Sequence, residues 1–238
     1  MFCPKCGSQV AAEAPYCPVC GMPQSPGAPP NSPLGAPMMV VPRPQIRSEK
    51  ANGAKWLGQG WDLVKSDLPT FAIHAILYAV VAGAVPFILQ GPMMLGLQYS
   101  LMRRMFVGKS EVGDVFKGFN YFVPAMVAGI LYSLFSSIGF ALCLIPGFFV
   151  VAALQFPFLL ILDKGMDFWP AMETSMDAAK RDWGGYLVFV LLQMLVVFAG
   201  VLACFVGLLV AIPVIHAASV AAYQDVFGFE QRTIDNAR

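Results

Sequence analysis

Four cysteines open the chain in a spacing that suits a metal. Cys3-Pro4-Lys5-Cys6-Gly7 and Cys17-Pro18-Val19-Cys20-Gly21 form two C-P-x-C-G knuckles. Each C-x-x-C puts two thiolates on one tight turn, and the following Gly lets the backbone double back. Two such turns offer Cys3, Cys6, Cys17 and Cys20 to a tetrahedral ion, the ligand set of one structural zinc per chain. Other uses of this pattern fit less well. Two disulfides would need an oxidising compartment, and a redox pair would need a surrounding βαβ pattern that is absent. Rubredoxin-type iron uses similar knuckles, normally within a larger aromatic core.

A stretch this short has no hydrophobic core, so metal binding and folding should be one event. The knuckles resemble the small N-terminal zinc ribbons of many bacterial proteins, with all four ligand positions matched. Ribbons often bind nucleic acid, but this one carries only Lys5 against Glu13. No basic face is available to neutralise phosphates, so nucleic acid is not the expected partner. A cytoplasmic protein partner is.

The elements behind the ribbon are of another kind. Hydrophobic residues make up 58% of the 238-residue chain and charged residues 12%, about half the charged share of soluble domains. Leu68–Met102, Gly118–Leu162 and Trp183–Gln224 contain no Asp, Glu, Lys or Arg over 35, 45 and 42 residues. One membrane crossing takes roughly 20 apolar residues, so each tract suits a helical hairpin. Each follows a D-x-x-K segment, at Asp62 to Lys65, Asp114 to Lys117 and Asp177 to Lys180. One module used three times is the implied plan.

The expected fold is an all-α polytopic membrane protein with six transmembrane helices, near 69–89, 92–108, 119–143, 147–163, 184–204 and 208–226. Gln90-Gly91-Pro92, Ile145-Pro146-Gly147 and Gly207 mark the hairpin tips. An amphipathic helix precedes each hairpin, with apolar stripes Leu57-Trp61-Val64-Leu68, Val112-Phe116-Phe119 and Trp169-Met172-Met176-Ala179-Trp183. Asp167 is placed to cap the last of these, with Pro170 in its first turn. The domains read as 1–22 zinc ribbon, 23–50 Pro-rich linker, 51–228 membrane domain and 229–238 cytoplasmic tail. All 15 Lys and Arg lie outside the tracts. The positive-inside rule therefore puts both termini in the cytoplasm of a multi-pass inner-membrane protein. No signal peptide is expected, and Arg103 and Arg104 should snorkel to the surface.

Asp163-Lys164-Gly165, Ser175, Lys180 and Trp183 resemble a pattern in uncharacterised bacterial integral-membrane families. Some of these are related to the membrane region attached to glycerophosphodiester phosphodiesterases. The resemblance covers roughly 51–228 and implies a six-helix membrane domain of unassigned activity. It transfers no catalytic residue.

Chemistry inside the tracts is sparse. Without a charged residue at depth they lack the groups that ion relays use. No H-E-x-x-H or G-x-S-x-G occurs, so an enzyme is not expected. His74 reads as a hydrogen-bonded packing residue, and Cys143 and Cys204 as small apolar residues placed where a disulfide is also permitted. Gln98, Gln155 and His216 stand seven, eight and nine residues past Gly91, Gly147 and Gly207. Packing around a pseudo-threefold axis would bring them into one polar cluster, structural or ligand-binding. The leading functional reading is a membrane-embedded scaffold or regulator whose ribbon meets a cytoplasmic partner. A permease or lipid-handling transporter for an uncharged or apolar substrate is the alternative. The oligomeric state is not legible.

Overall fold

A computed structural model describes residues 44–47, 50–85, 88–142, 144–203 and 206–238, all within one compact unit, Val41–Arg238. The four ribbon cysteines, the linker up to residue 43, and Cys143 and Cys204 lie outside the described residues. Among those described, every regular element is helical. They are α1 Gly53–Lys65, α2 Leu68–Ala84, α3 Gln90–Val107, a 3-10 segment Val112–Tyr121, α4 Phe122–Leu142, α5 Leu144–Ala153, α6 Pro157–Lys164, α7 Phe168–Arg181, α8 Trp183–Leu202, α9 Leu208–Val226 and α10 Gln231–Asn236.

Four stretches are long and apolar enough to cross a membrane: Val112–Leu142, Pro146–Lys164, Trp183–Leu202 and Leu208–Val226. A fifth is added if α1 and α2, bent by 101°, form one broken span. Their outward faces are apolar. Val80 on α2, Val123 on α4 and Leu195 and Phe198 on α8 are each more than 60% exposed. Such a continuous apolar exterior suits lipid, not water.

The helix expected at 92–108 is present as α3, but it does not reach the apolarity of the others. It is the inner element. Its Met93, Leu95, Leu97, Gln98, Ser100 and Leu101 are all buried, and it packs on α2, α4, α6, α9 and the 3-10 segment. A helix wrapped in protein need not be apolar all round. Close packing depends on its glycines. A Cβ on Gly91 would collide with the Ala125 carbonyl of α4, and one on Gly96 with the Val115 carbonyl of the 3-10 segment.

The amphipathic helices are present, and each of α1 and α7 buries part of its expected stripe, Val64 in one and Met172 and Ala179 in the other, together with small residues. In α1 the buried residues are Gly53, Trp56, Gly60 and Val64, while Trp61 is 47% exposed. Gly60 sits against the α9 backbone at Val214 and Ala218. In α7 Ala171, Met172, Ser175, Ala178 and Ala179 turn inward, while Trp169 is 51% exposed and donates to Glu173 Oε1 at 2.9 Å. Asp167 caps α7 by accepting from the Phe168 N–H at 2.8 Å.

The D-x-x-K segments differ as well. Asp62–Lys65 and Asp177–Lys180 are i,i+3 ion pairs at 2.5 and 3.1 Å. Asp114 instead takes both carboxylate oxygens to Arg103, at 3.1 and 2.9 Å. Arg103 is therefore not a free snorkelling cation. It also donates to the Ala237 carbonyl at 3.0 Å.

Residues 229–238 do not hang free. They include α10, bury Thr233 and Ala237, and dock on the end of α6. Asp163 anchors them. Its carboxylate accepts from the Glu230 N–H at 2.9 Å and the Tyr223 phenol at 2.8 Å, and its carbonyl accepts from Thr233 Oγ1 at 3.2 Å. Lys164 pairs with the same carboxylate at 3.0 Å. Gly165 ends α6 in the left-handed region, φ 62°, which favours glycine. The Asp163-Lys164-Gly165 segment is thus a structural latch.

Candidate functional site

The span Pro146–Lys164 is one stretch in sequence and two helices in space. Between α5 and α6, residues Leu154, Gln155 and Phe156 leave the helix. Pro157 is the cause. It has no N–H, its ring would strike the Ala153 carbonyl in a continuous helix, and it drives Phe156 out of helical geometry. The freed groups find a partner in α7. Ser175 Oγ accepts from the Phe156 N–H at 3.1 Å and donates to the Ala153 carbonyl at 2.7 Å. Phe156 is fixed further by rings, with Tyr186, Tyr223 and Phe227 at 5.8, 6.1 and 5.6 Å.

The break turns Gln155 toward α8 and α9. Its Nε2 donates to Ser219 Oγ at 2.6 Å and lies 3.4 Å from Gln193 Oε1. Gln193 Nε2 in turn reaches Ser219 Oγ at 3.2 Å and the Ile215 carbonyl at 3.3 Å. The Ser219 hydroxyl in turn donates to the Ile215 carbonyl at 3.0 Å. Three side chains from three elements thus satisfy one another in a largely buried setting.

Beside this triad lies a cavity of about 230 Å³. Gln98, Gln155 and His216, the three polar residues singled out in the sequence, all line it, together with Gln193, Ser219 and Tyr132. Depth is shared too. Tyr132 is the midpoint of α4 and Gln155 that of Pro146–Lys164, Gln98 and Gln193 are next to those of α3 and α8, and His216 and Ser219 flank that of α9. The three do not bond to one another. Gln155 bonds to Gln193 and Ser219, which sequence spacing missed because they occupy other turns of α8 and α9. His216 faces the Tyr78 ring at 6.5 Å. Gln98 is 1% exposed, and its Oε1 has no hydrogen-bond partner.

His74 lies apart from this cavity. It bridges Ser100 Oγ at 3.2 Å and the Glu111 carbonyl at 3.0 Å, a packing role. Among the described residues no group of His, Cys, Asp and Glu could hold a metal ion.

At the charged end, Asp182 ties two elements together. It caps α8 through the Gly185 N–H at 3.0 Å and accepts from the Ala51 N–H, just ahead of α1, at 2.9 Å. These two donors hold its carboxyl below the usual aspartate range. Asp225 on α9 holds α1 at the next turn, accepting from Trp56 Nε1 at 2.8 Å and Lys55 Nζ at 2.7 Å.

Residues 2–24 match a zinc-ribbon domain family. Three uncharacterised mycobacterial proteins are similar to the chain. One is from Mycobacterium bovis, and the others are from the CDC 1551 and H37Rv strains of Mycobacterium tuberculosis. Each is 31% identical over 103 residues, 43% of this chain and 32% of the relative. The chain thus spans about a third of the length of the curated relatives it matches. No solved structure matches.

Proposed function

We propose that the protein is a membrane-embedded scaffold or regulator that presents a cytoplasmic zinc ribbon to a protein partner on a Pro-rich tether. One observation carries the reading for the helical part: the glycine-mediated backbone contacts of α3 with α4 and the 3-10 segment, which make it a fixed core. The ribbon match at 2–24 supports the other half. Cys3, Cys6, Cys17 and Cys20 would hold one zinc, and their four-thiolate donor set fits it. Bound zinc would supply cross-linking that lets a coreless stretch fold. The one-sided Lys and Arg support three hairpins in the inner membrane with both termini inside. The sequence resemblance of roughly 51–228 to uncharacterised bacterial integral-membrane families argues for six crossings without assigning an activity. The chain is read as non-enzymatic.

The broken helix at Gln155 is the one feature that favours the permease reading. Cross-linking in native membranes separates the two. Protein adducts should form on the wild-type ribbon and vanish in Cys17→Ser, with membrane insertion unchanged. Identical adducts in both, or none, would reject the scaffold. Reporter fusions at Lys109 and Lys180 should read cytoplasmic, and those at Gln90, Ile145 and Val206 external.

A further inference from the structure

Gln98 is the anomaly of the bundle interior. It sits at the middle of α3, 1% exposed, with an acceptor oxygen that meets no donor. Its polar neighbours leave it unserved. Gln155, Gln193 and Ser219 close on one another and on the Ile215 carbonyl. Across the cavity His216 makes a ring contact with Tyr78 and no hydrogen bond among the described residues. One wall is therefore satisfied, and the rest keeps unused hydrogen-bonding capacity.

We propose that this cavity binds a small uncharged molecule bearing a hydroxyl or a primary amide. With its amide turned to the cavity, Gln98 accepts a hydrogen bond from the ligand, and the His216 ring takes the complementary bond. Rotation of the Gln98 amide presents either its oxygen or its NH₂. Aromatic and thioether walls from Tyr132, Phe148 and Met94 take the ligand's carbon atoms. The cavity lies below the roughly 300–1,000 Å³ of drug-sized sites, so the ligand is small. Charge is excluded because no carboxylate, Lys or Arg lines it, and an unpaired buried ion is costly. Water alone fits poorly. Each buried water takes two to four polar partners, and with Gln155, Gln193 and Ser219 bonded to one another the mostly apolar lining offers few for about 230 Å³. The helix break places Gln155 at the same level, a geometry that membrane proteins use around bound solutes. The proposal does not rest on the scaffold reading.

The test uses the full chain in lipid nanodiscs, read by thermal unfolding. Propionamide and 1,2-propanediol are the probes. N,N-dimethylpropionamide, which lacks the donor, and propionate, which is charged, are the controls. At least one probe should raise Tm saturably in the wild type, with at least tenfold weaker half-saturation for both controls. Gln98→Leu should melt cooperatively and lose the saturable rise, and His216→Phe should weaken it at least tenfold. No saturable rise with either probe would mean a cavity holding water only and would overturn the proposal. So would an equal rise in Gln98→Leu, or equal half-saturation for the donor-free amide.

Discussion

The phenol of Tyr223 donates to Asp163 Oδ2 at 2.8 Å, and both residues are buried. This bond joins α9 to the end of α6 at the point where the C-terminal segment docks. Tyr223→Phe keeps the ring packed at a tilt against Phe227 and Phe229 but removes one donor from a buried carboxylate. A hydrogen bond to a charged group is worth about 1.5–3 kcal/mol, so the variant should lose about that much. Denaturant or thermal unfolding in detergent would check it, with Asp163→Ala expected to cost more and to loosen residues 229–238 to proteolysis.

Two glycines should respond in opposite directions to the same substitution. Gly96→Ala drives a methyl into the Val115 carbonyl, and overpacking of this kind costs about 1–3 kcal/mol. Gly58 lies inside α1 with nothing near its missing Cβ. There Ala should stabilise by about 0.5–1 kcal/mol through backbone entropy. Equal effects at both sites would refute the packing assigned to α3.

Ser175 is expected to matter more than its size suggests. Ser175→Ala strips the Phe156 N–H of its acceptor and the Ala153 carbonyl of its donor in a buried setting. A loss of about 1–3 kcal/mol is expected. Ser175→Thr should recover part of it, and Tm of the two variants decides.

Acid should act through Asp182. Its folded carboxyl titrates below the unfolded value of about 3.9. The linked stability is therefore complete above that value and is lost as pH falls through the lower, folded one. Asp182→Asn should flatten this part of the acid limb. Unchanged acid dependence in melts between pH 2 and 5 would argue against the Ala51 and Gly185 bonds.

Metal analysis bears on the ribbon. Purified protein should carry about one zinc per chain, released by thiol modification. Cys17→Ser should lose it without changing the membrane fraction.

Some helix limits were legible in charge-free runs and glycine breaks, whereas the helix expected at 69–89 ends at Ala84 and that at 147–163 is two helices. α8 and α9 begin and end within two residues of expectation, because hydropathy and punctuation agree there. Facing was harder to read. The sequence rule takes large apolar side chains for the core, which fails when the surroundings are also apolar. Trp61 and Trp169 point outward, while Gly60, Ala171 and Ala178 make the contacts. In lipid, helices meet through small residues. The residues lining the cavity were legible as uncommon polar groups at shared depth. Their partners were not, since Gln155 reaches Ser219 only because Pro157 breaks the helix first. Pro157 was visible, but membrane helices tolerate Pro too often for it to mark a break alone.

α3 also has a consequence for biogenesis. A helix with Gln90, Gln98, Arg103 and Arg104 in 18 residues would partition poorly from a translocon into bare lipid. Of its surroundings only α1 and α2 precede it, while α4, α6, α9 and the 3-10 segment are synthesised after it. The nascent chain must therefore hold α3 in a sheltered, unfinished state until later helices arrive. A ribosome-stalled chain long enough to expose Val107 outside the ribosome but not α4 should hold α3 unintegrated, and integration should rise once α9 has emerged.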